Sequence, residues 1–287
     1  MKRSVMLAAA VATLALVTSA APSGAAQRAA TRQHDGKRPS PKTIYKTFSS
    51  TYGPGTVVRV STNGNVVGYA SPSDVDHIDA GDVVEGYVLC YKNPNTQQSV
   101  DAYDINFLAG GFGPATDSQT GTKVTRQTSD GLLELTQTYA FNGKSRSLQI
   151  TETLQNISGA TITQVGLRRQ VDFDIDAGGT DGTNDFNDIF GATSASVFAY
   201  RDTGGSFAFS PPGDHGMVLR SLLAKVGKVS GLLGGFATSS YADTGCIPSV
   251  DPTPTTPKDD GASVSSLPVL TLKPGQKLTE VLEYDAF

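Results

Sequence analysis

From residue 56 onward, apolar and polar residues alternate with a period of two over stretch after stretch, the pattern of strands that bury one face. Residues 56–61 and 66–71 flank Asn63-Gly64, a dipeptide that favours a tight hairpin. Residues 83–91 read as another apolar strand, and the Gly-rich stretch 109–121 as a long loop. Between 122 and 176 three reversals set a register: Asp130-Gly131, Asn142-Gly143 and the loop 157–160. They pair Ser129 with Leu132, Phe141 with Lys144 and Asn156 with Thr161. One face then carries Leu133, Leu135, Tyr139, Leu148, Ile150, Leu154, Val165, Leu167, Val171, Phe173 and Ile175. The other carries Gln127, Glu134, Thr136, Thr138, Ser147, Gln149, Thr151, Thr153, Gln164, Arg168 and Gln170. The expectation is a four-stranded antiparallel meander with one buried and one wet face.

Short strands follow at 196–200 and 206–209. Leu219, Leu222, Leu223 and Val226 fall at helical spacing and predict one short helix near 217–227. Residues 249–261 are rich in Pro and Asp and read as an exposed excursion. Residues 269–272 and 278–284, joined by Lys-Pro-Gly-Gln, predict a closing hairpin. The fold class is an all-β antiparallel β-sandwich with at most one or two short helices, in a single domain over 43–287.

The N-terminus adds an address. Lys2 and Arg3 precede an apolar run from Val5 to Val17, and Ser23, Gly24, Ala25 and Ala26 follow. Residues 1–26 read as a secretory signal peptide, which implies a secreted, extracellular protein. The polar, basic stretch 27–42 reads as a disordered linker. The formal net charge of −4 becomes −6 once Lys2 and Arg3 are removed, leaving 21 basic against 27 acidic residues. A mildly acidic chain argues against nucleic acid as a partner. No later segment approaches the roughly 20 apolar residues of a membrane span. The two cysteines, Cys90 and Cys246, are expected to pair in an oxidising compartment; the alternative is two buried thiols.

Three groups of residues suggest chemistry. Asp172, Asp174 and Asp176 alternate at a strand end, and a Gly-rich loop brings Asp181, Asp185 and Asp188. Such a cluster suits Ca²⁺, the one cofactor expected. It is not an EF-hand, because Gly is displaced to 178 and Thr183 stands where a bidentate Glu would be. The alternative is a solvated acidic loop. The second group is a polar island on the greasy face: Arg126, Gln137, Arg146, Glu152 and Arg169, with Tyr139 among them. On the meander register Glu152 and Arg169 lie roughly 13 Å apart. The functional reading is a concave, partly wet sheet that binds hydroxyl-rich glycans. The structural reading pairs each charge with the second sheet or places it at the rim. The third group is His77 and His215, each beside an Asp, which are weak candidates for a general acid or base alongside Glu152. The sequon Asn156-Ile157-Ser158 is equally suited to a turn.

The segment LQITETLQNISGATITQVGLRRQVDFDID and the closing TLKPGQKLTEVLEYDAF resemble secreted bacterial β-sandwich proteins, in outline the galactose-mutarotase-like supersandwich domains. That resemblance implies a fold that accompanies carbohydrate-active proteins. The two histidines and a glutamate on which such enzymes rely would be sought at His77 and His215 with Glu152 or Glu283; no motif aligns them, and the fold alone carries over. The leading expectation is a non-catalytic extracellular module that binds glycans, steadied by calcium. The alternatives are a carbohydrate-active enzyme of epimerase or lyase type, and an interaction protein whose Thr/Gln face meets another extracellular protein. The chain has no Trp, the usual stacking platform for sugars.

Overall fold

A computed structural model describes residues 44–74, 76–78, 85–105, 108–117, 121–171, 185–189, 196–201, 216–222 and 262–286. The strands are β1 (Ile44–Ser50), β2 (Thr56–Ser61), β3 (Val66–Ala70), β4 (Glu85–Lys92), β5 (Ser99–Ile105), β6 (Leu108–Gly110), β7 (Thr116–Asp117) and β8 (Lys123–Gln127). They continue as β9 (Leu133–Asn142), β10 (Ser147–Asn156), β11 (Ile162–Val171), β12 (Asp185–Ile189), β13 (Ser196–Arg201), β14 (Gly216–Ser221), β15 (Ala262–Leu272) and β16 (Lys277–Ala286). They form three antiparallel sheets. One has three strands in the order β1-β2-β3. The second has eight, β12-β13-β14-β16-β10-β9-β8-β7, and the third five, β15-β11-β4-β5-β6. The described residues contain no helix, so none is long and apolar enough to cross a membrane.

Among the described residues the alternation assigns the inward face correctly, with Phe173 and Ile175 lying outside them and Ser147, expected to be wet, buried. Leu133, Leu135, Tyr139, Leu148, Ile150, Leu154, Val165, Leu167 and Val171 are all buried. The Asp130-Gly131 turn sets the expected register, with Arg126 opposite Leu135, and Gly131 takes a positive φ of 69°. Asn63-Gly64 joins β2 to β3 as expected, with Gly64 at φ 92°.

Four expectations need correction. The Asn142 reversal closes on Ser147 rather than on Phe141–Lys144, so Leu135 faces Leu154 and not Ile150. Asn142 Oδ1 accepts the Lys144 and Ser145 amides at 3.1 and 3.4 Å, which shapes a longer loop. Gly143 is there for space: a Cβ would stand 2.6 Å from the Ser50 side chain. Second, the loop 157–160 is not a hairpin. It carries the chain from the eight-stranded sheet (β10) to the five-stranded sheet (β11), and 273–276 does the same between β15 and β16. The expected meander therefore holds for β8, β9 and β10, while its last connection and the closing hairpin are two arches across the sandwich. Buried Asn156 staples them, its Nδ2 donating to Ala160 O and Leu272 O at 2.8 and 2.9 Å. That amide is sealed, so the sequon serves as a structural turn in the folded protein. Third, the helix expected near 217–227 begins as strand β14. Met217 and Leu219 are both buried at a spacing of two, while Leu222 is 41 % exposed. Fourth, Arg168 is buried rather than wet; it stands opposite Val88, on a face that carries its own small apolar cluster with Ile105.

Two apolar cores fill the sandwich. One joins Val58, Val60, Val66 and Tyr69 of the three-stranded sheet to Val124, Leu148, Ile150, Leu219 and Leu282 of the eight-stranded sheet. The other joins Tyr87, Leu89, Val165 and Leu167 of the five-stranded sheet to Leu133, Leu135 and Leu154 of the eight-stranded one. Along each inward row a polar residue separates them: Gln137 between Leu135 and Tyr139 on β9, Glu152 between Leu154 and Ile150 on β10, and Arg169 between Leu167 and Val171 on β11.

Candidate functional site

That polar layer is the site. Gln137, Glu152 and Glu280 lie side by side across β9, β10 and β16, as Cα partners in register. Arg169 reaches them from the opposite sheet. Its Nη1 donates to Gln137 Oε1 at 2.8 Å and to Glu152 Oε1 at 3.0 Å; its Nε donates to Glu85 Oε1. Glu152 and Arg169 therefore do meet, because β11 faces β10 across the sandwich instead of extending its sheet. The remaining Glu85 contacts come from Tyr284 OH at 2.8 Å and the Val66 amide at 2.6 Å.

The β2–β3 hairpin tip plugs into this layer. Gly64 O accepts Arg169 Nη2 at 3.1 Å and Tyr139 OH at 2.8 Å. A Cβ on Gly64 would sit 2.5 Å from Gln137 Nε2, so both the φ and the approach demand glycine. Asn63 Nδ2 donates to Asp104 Oδ2 at 2.9 Å, and Asn63 O accepts Tyr87 OH at 2.7 Å. Asp104 Oδ2 also takes Arg126 Nη1 at 2.5 Å, while Arg126 Nε and Nη2 donate to Gly113 O. One hairpin tip thus binds both arginine centres.

Of the ligand residues expected from sequence, Arg126, Gln137, Tyr139, Glu152 and Arg169 are between 0 and 6 % exposed. The partly wet concave face is instead a closed interior layer, since each charge has found a partner on the facing sheet. Arg146 is set apart in the β9–β10 loop at φ 54°, where its carbonyl accepts Tyr69 OH. Missed by the sequence reading were Glu85, Asp104, Tyr87, Glu280 and Tyr284. Glu280 had a signal: it shares parity with Leu278, Leu282 and Tyr284 along β16.

Among the described residues, Glu85 and Glu152 both bond to one guanidinium, Arg169, and Glu280 lies beside Glu152 in register. Burial raises the carboxyl pKa of Glu85 and Glu152 above the ordinary range, against the pull of Arg169. Burial, and then the charge of Glu152 beside it, push Glu280 up to about 8. Burial opposes the Arg169 charge, but Glu85, Tyr284 and Glu152 outweigh it and hold its pKa well above the usual arginine value. Glu152 Oε2 is the one buried side-chain polar atom, among the described residues, with no hydrogen-bond partner.

The other candidates fall elsewhere. His77 is fully buried, with Nε2 2.8 Å from Ser71 O, so that nitrogen donates to a carbonyl. Glu283 is on the other side of the eight-stranded sheet and accepts Gln149 Nε2 at 2.9 Å. Asp185 and Asp188 are on strand β12, not in a loop; their backbones pair with Arg201 and Phe198. Asp172, Asp174, Asp176, Asp181, His215 and Cys246 lie outside the described residues. Cys90 is half-buried on β4. Among the described residues no three His, Cys, Asp or Glu side chains gather as a metal site.

No protein-family model and no curated protein sequence matches the chain. Among solved structures it is similar to a polysaccharide lyase, at 12 % identity and a TM-score of 0.44, over 84 % of this chain and 32 % of the lyase. The chain thus spans about a third of that lyase's length. It is also similar to a "Putative aldose 1-epimerase" from Escherichia coli K12, at 9 % identity and a TM-score of 0.46, over 84 % of this chain and 99 % of that one. A third is the Slr1438 protein from Synechocystis sp. PCC 6803, at 11 % identity and a TM-score of 0.42, over 87 % and 97 %. These are distant likenesses of strand arrangement.

Proposed function

We propose that the chain is a secreted β-sandwich module that binds glycans without transforming them, on the outer face of its eight-stranded sheet. One observation carries this reading. Thr116, Thr125, Thr136, Thr153 and Thr279 are Cα partners in succession across β7, β8, β9, β10 and β16. They form a row of five hydroxyls on neighbouring strands, about 4.8 Å apart. Thr125 and Thr136 hydroxyls lie 3.2 Å from each other, as do those of Thr153 and Thr279. Gln127 and Glu134 flank the row, with Gln127 Nε2 donating to Glu134 Oε2 at 3.0 Å. Hydroxyls and amides both donate and accept, as sugar hydroxyls do, and the row itself carries no charge. The non-catalytic part rests on burial: the interior carboxylates and His77 lie out of a polymer's reach.

In this reading the N-terminal signal peptide exports the chain, Cys90 pairs with Cys246, and the acidic stretch 172–188 takes Ca²⁺. A glycan array followed by calorimetry tests the binding. A neutral polysaccharide should bind, and Thr136→Val with Thr153→Val should abolish binding while leaving the unfolding midpoint nearly unchanged. Failure of every glycan to bind, or undiminished binding by the double variant, would contradict the proposal. Turnover of any bound sugar would favour the enzyme reading. Calcium should raise the thermal midpoint and EDTA lower it; no change with either removes calcium from the account.

A further inference from the structure

Taking the threonine row as the glycan site, we propose that its ligand is a neutral, extended β-linked polysaccharide, a single chain laid across the strands with one sugar on each. Direction comes from spacing. Across the sheet Thr116, Thr125, Thr136, Thr153 and Thr279 repeat once per strand, at about 4.8 Å. Along a strand, outward side chains recur only at every second residue, about 6.8 Å apart. They also change in kind, since β9 presents Glu134, Thr136, Thr138 and Ala140 in turn. A sugar in an extended β-linked chain advances by nearly the strand spacing, so a chain across the strands meets a hydroxyl at every unit. An α-linked glucan coils and leaves that line.

The row is within reach and has bonds to give. Thr116 and Thr279 are exposed, and Thr125, Thr136 and Thr153 are half-buried. The Thr125–Thr136 and Thr153–Thr279 pairs each share one hydrogen, and each keeps a second donor and further lone pairs for a ligand. Thr116 Oγ1 donates to Thr125 O at 3.2 Å and still accepts. The flanking rows on β8, β9, β10 and β16 carry Glu134 and Lys277 on one side and Lys123 on the other. Charges of mixed sign suit a neutral chain better than a polyanion. Neither flanking row holds an aromatic ring on these four strands, so no single sugar is anchored by stacking. Affinity must accumulate sugar by sugar. Neighbouring strands of such a sheet also turn by about 20–25°. A lone chain follows that turn, whereas a chain locked in a crystalline array does not.

Calorimetry with β-1,4-linked gluco-, manno- and xylo-oligosaccharides, from disaccharide to hexasaccharide, tests the alignment. In at least one series affinity should rise about fivefold with each added sugar. It should level off at the pentasaccharide, one sugar for each threonine. Thr279→Val removes the last hydroxyl of the row and should move the plateau to the tetrasaccharide. Thr136→Val interrupts the middle and should reduce the pentasaccharide to about the affinity of the disaccharide. Both variants should unfold at the wild-type midpoint. Affinity that ignores length, equal affinity for malto-oligosaccharides, binding to microcrystalline cellulose, or an unmoved plateau in Thr279→Val would overturn the alignment while leaving a glycan site on this face. Failure of every glycan to bind would remove that site and the alignment with it.

Discussion

Arg126 and Arg169 both leave one sheet of the sandwich and end on another, but their surroundings differ in charge balance. Arg126 leaves β8 for Asp104 and Tyr87 on the five-stranded sheet, and its guanidinium lies 5.0 Å from the Phe112 ring centroid. Among the described residues one cation meets one carboxylate there, and Asp104 also accepts Asn63. Arg169 leaves β11 for Glu152 on the eight-stranded sheet and also meets Glu85 on neighbouring β4 of its own sheet. Depth is similar, at 6 and 0 % exposure. The difference teaches that two arginines buried to a similar depth can clasp the sheets while answering different numbers of carboxylates.

Removing each arginine probes that contrast. Arg169→Leu should have the largest effect, a loss of about 3–5 kcal/mol in denaturant unfolding, because it strands Glu85 and Glu152 in the interior. Arg126→Leu should cost less, about 2–3 kcal/mol, since Asp104 retains Asn63. If Arg126→Leu proves as damaging as Arg169→Leu, the contrast between the centres fails. Smallest of all are the outer threonines. Thr136→Val should change stability by no more than about 0.5 kcal/mol, a surface effect that separates binding from folding.

Alternation told which residues face inward, and so it flagged Arg126, Gln137, Glu152 and Arg169 as anomalies on a greasy face. It could not tell which sheet a strand joins. Leu154 and Leu167 are inward whether β10 and β11 form a hairpin or an arch, because side-chain parity is the same in both. The staple that decides it, Asn156 to Leu272 O, spans 116 positions and leaves no local trace. For the same reason the partners Glu85 and Asp104 were invisible: contact across a sandwich has no period along the strand. The misread helix at 217–227 shows the converse. At Met217 and Leu219 helical spacing was overridden by the tertiary pairing of Met217–Ser221 with Leu282–Ala286, while Leu223 and Val226 lie outside the described residues. Asn63-Gly64 was legible as a turn, but not as a plug.

A double-mutant cycle between Arg169 and Glu152, read by urea unfolding at pH 7, tests the closed layer most directly. The single variants Arg169→Leu and Glu152→Leu should each destabilise, and the double variant should recover a coupling energy of about 1–3 kcal/mol. Effects that add, with coupling within about 0.3 kcal/mol of zero, would mean that the two side chains do not meet and that the sheets are not clasped through them.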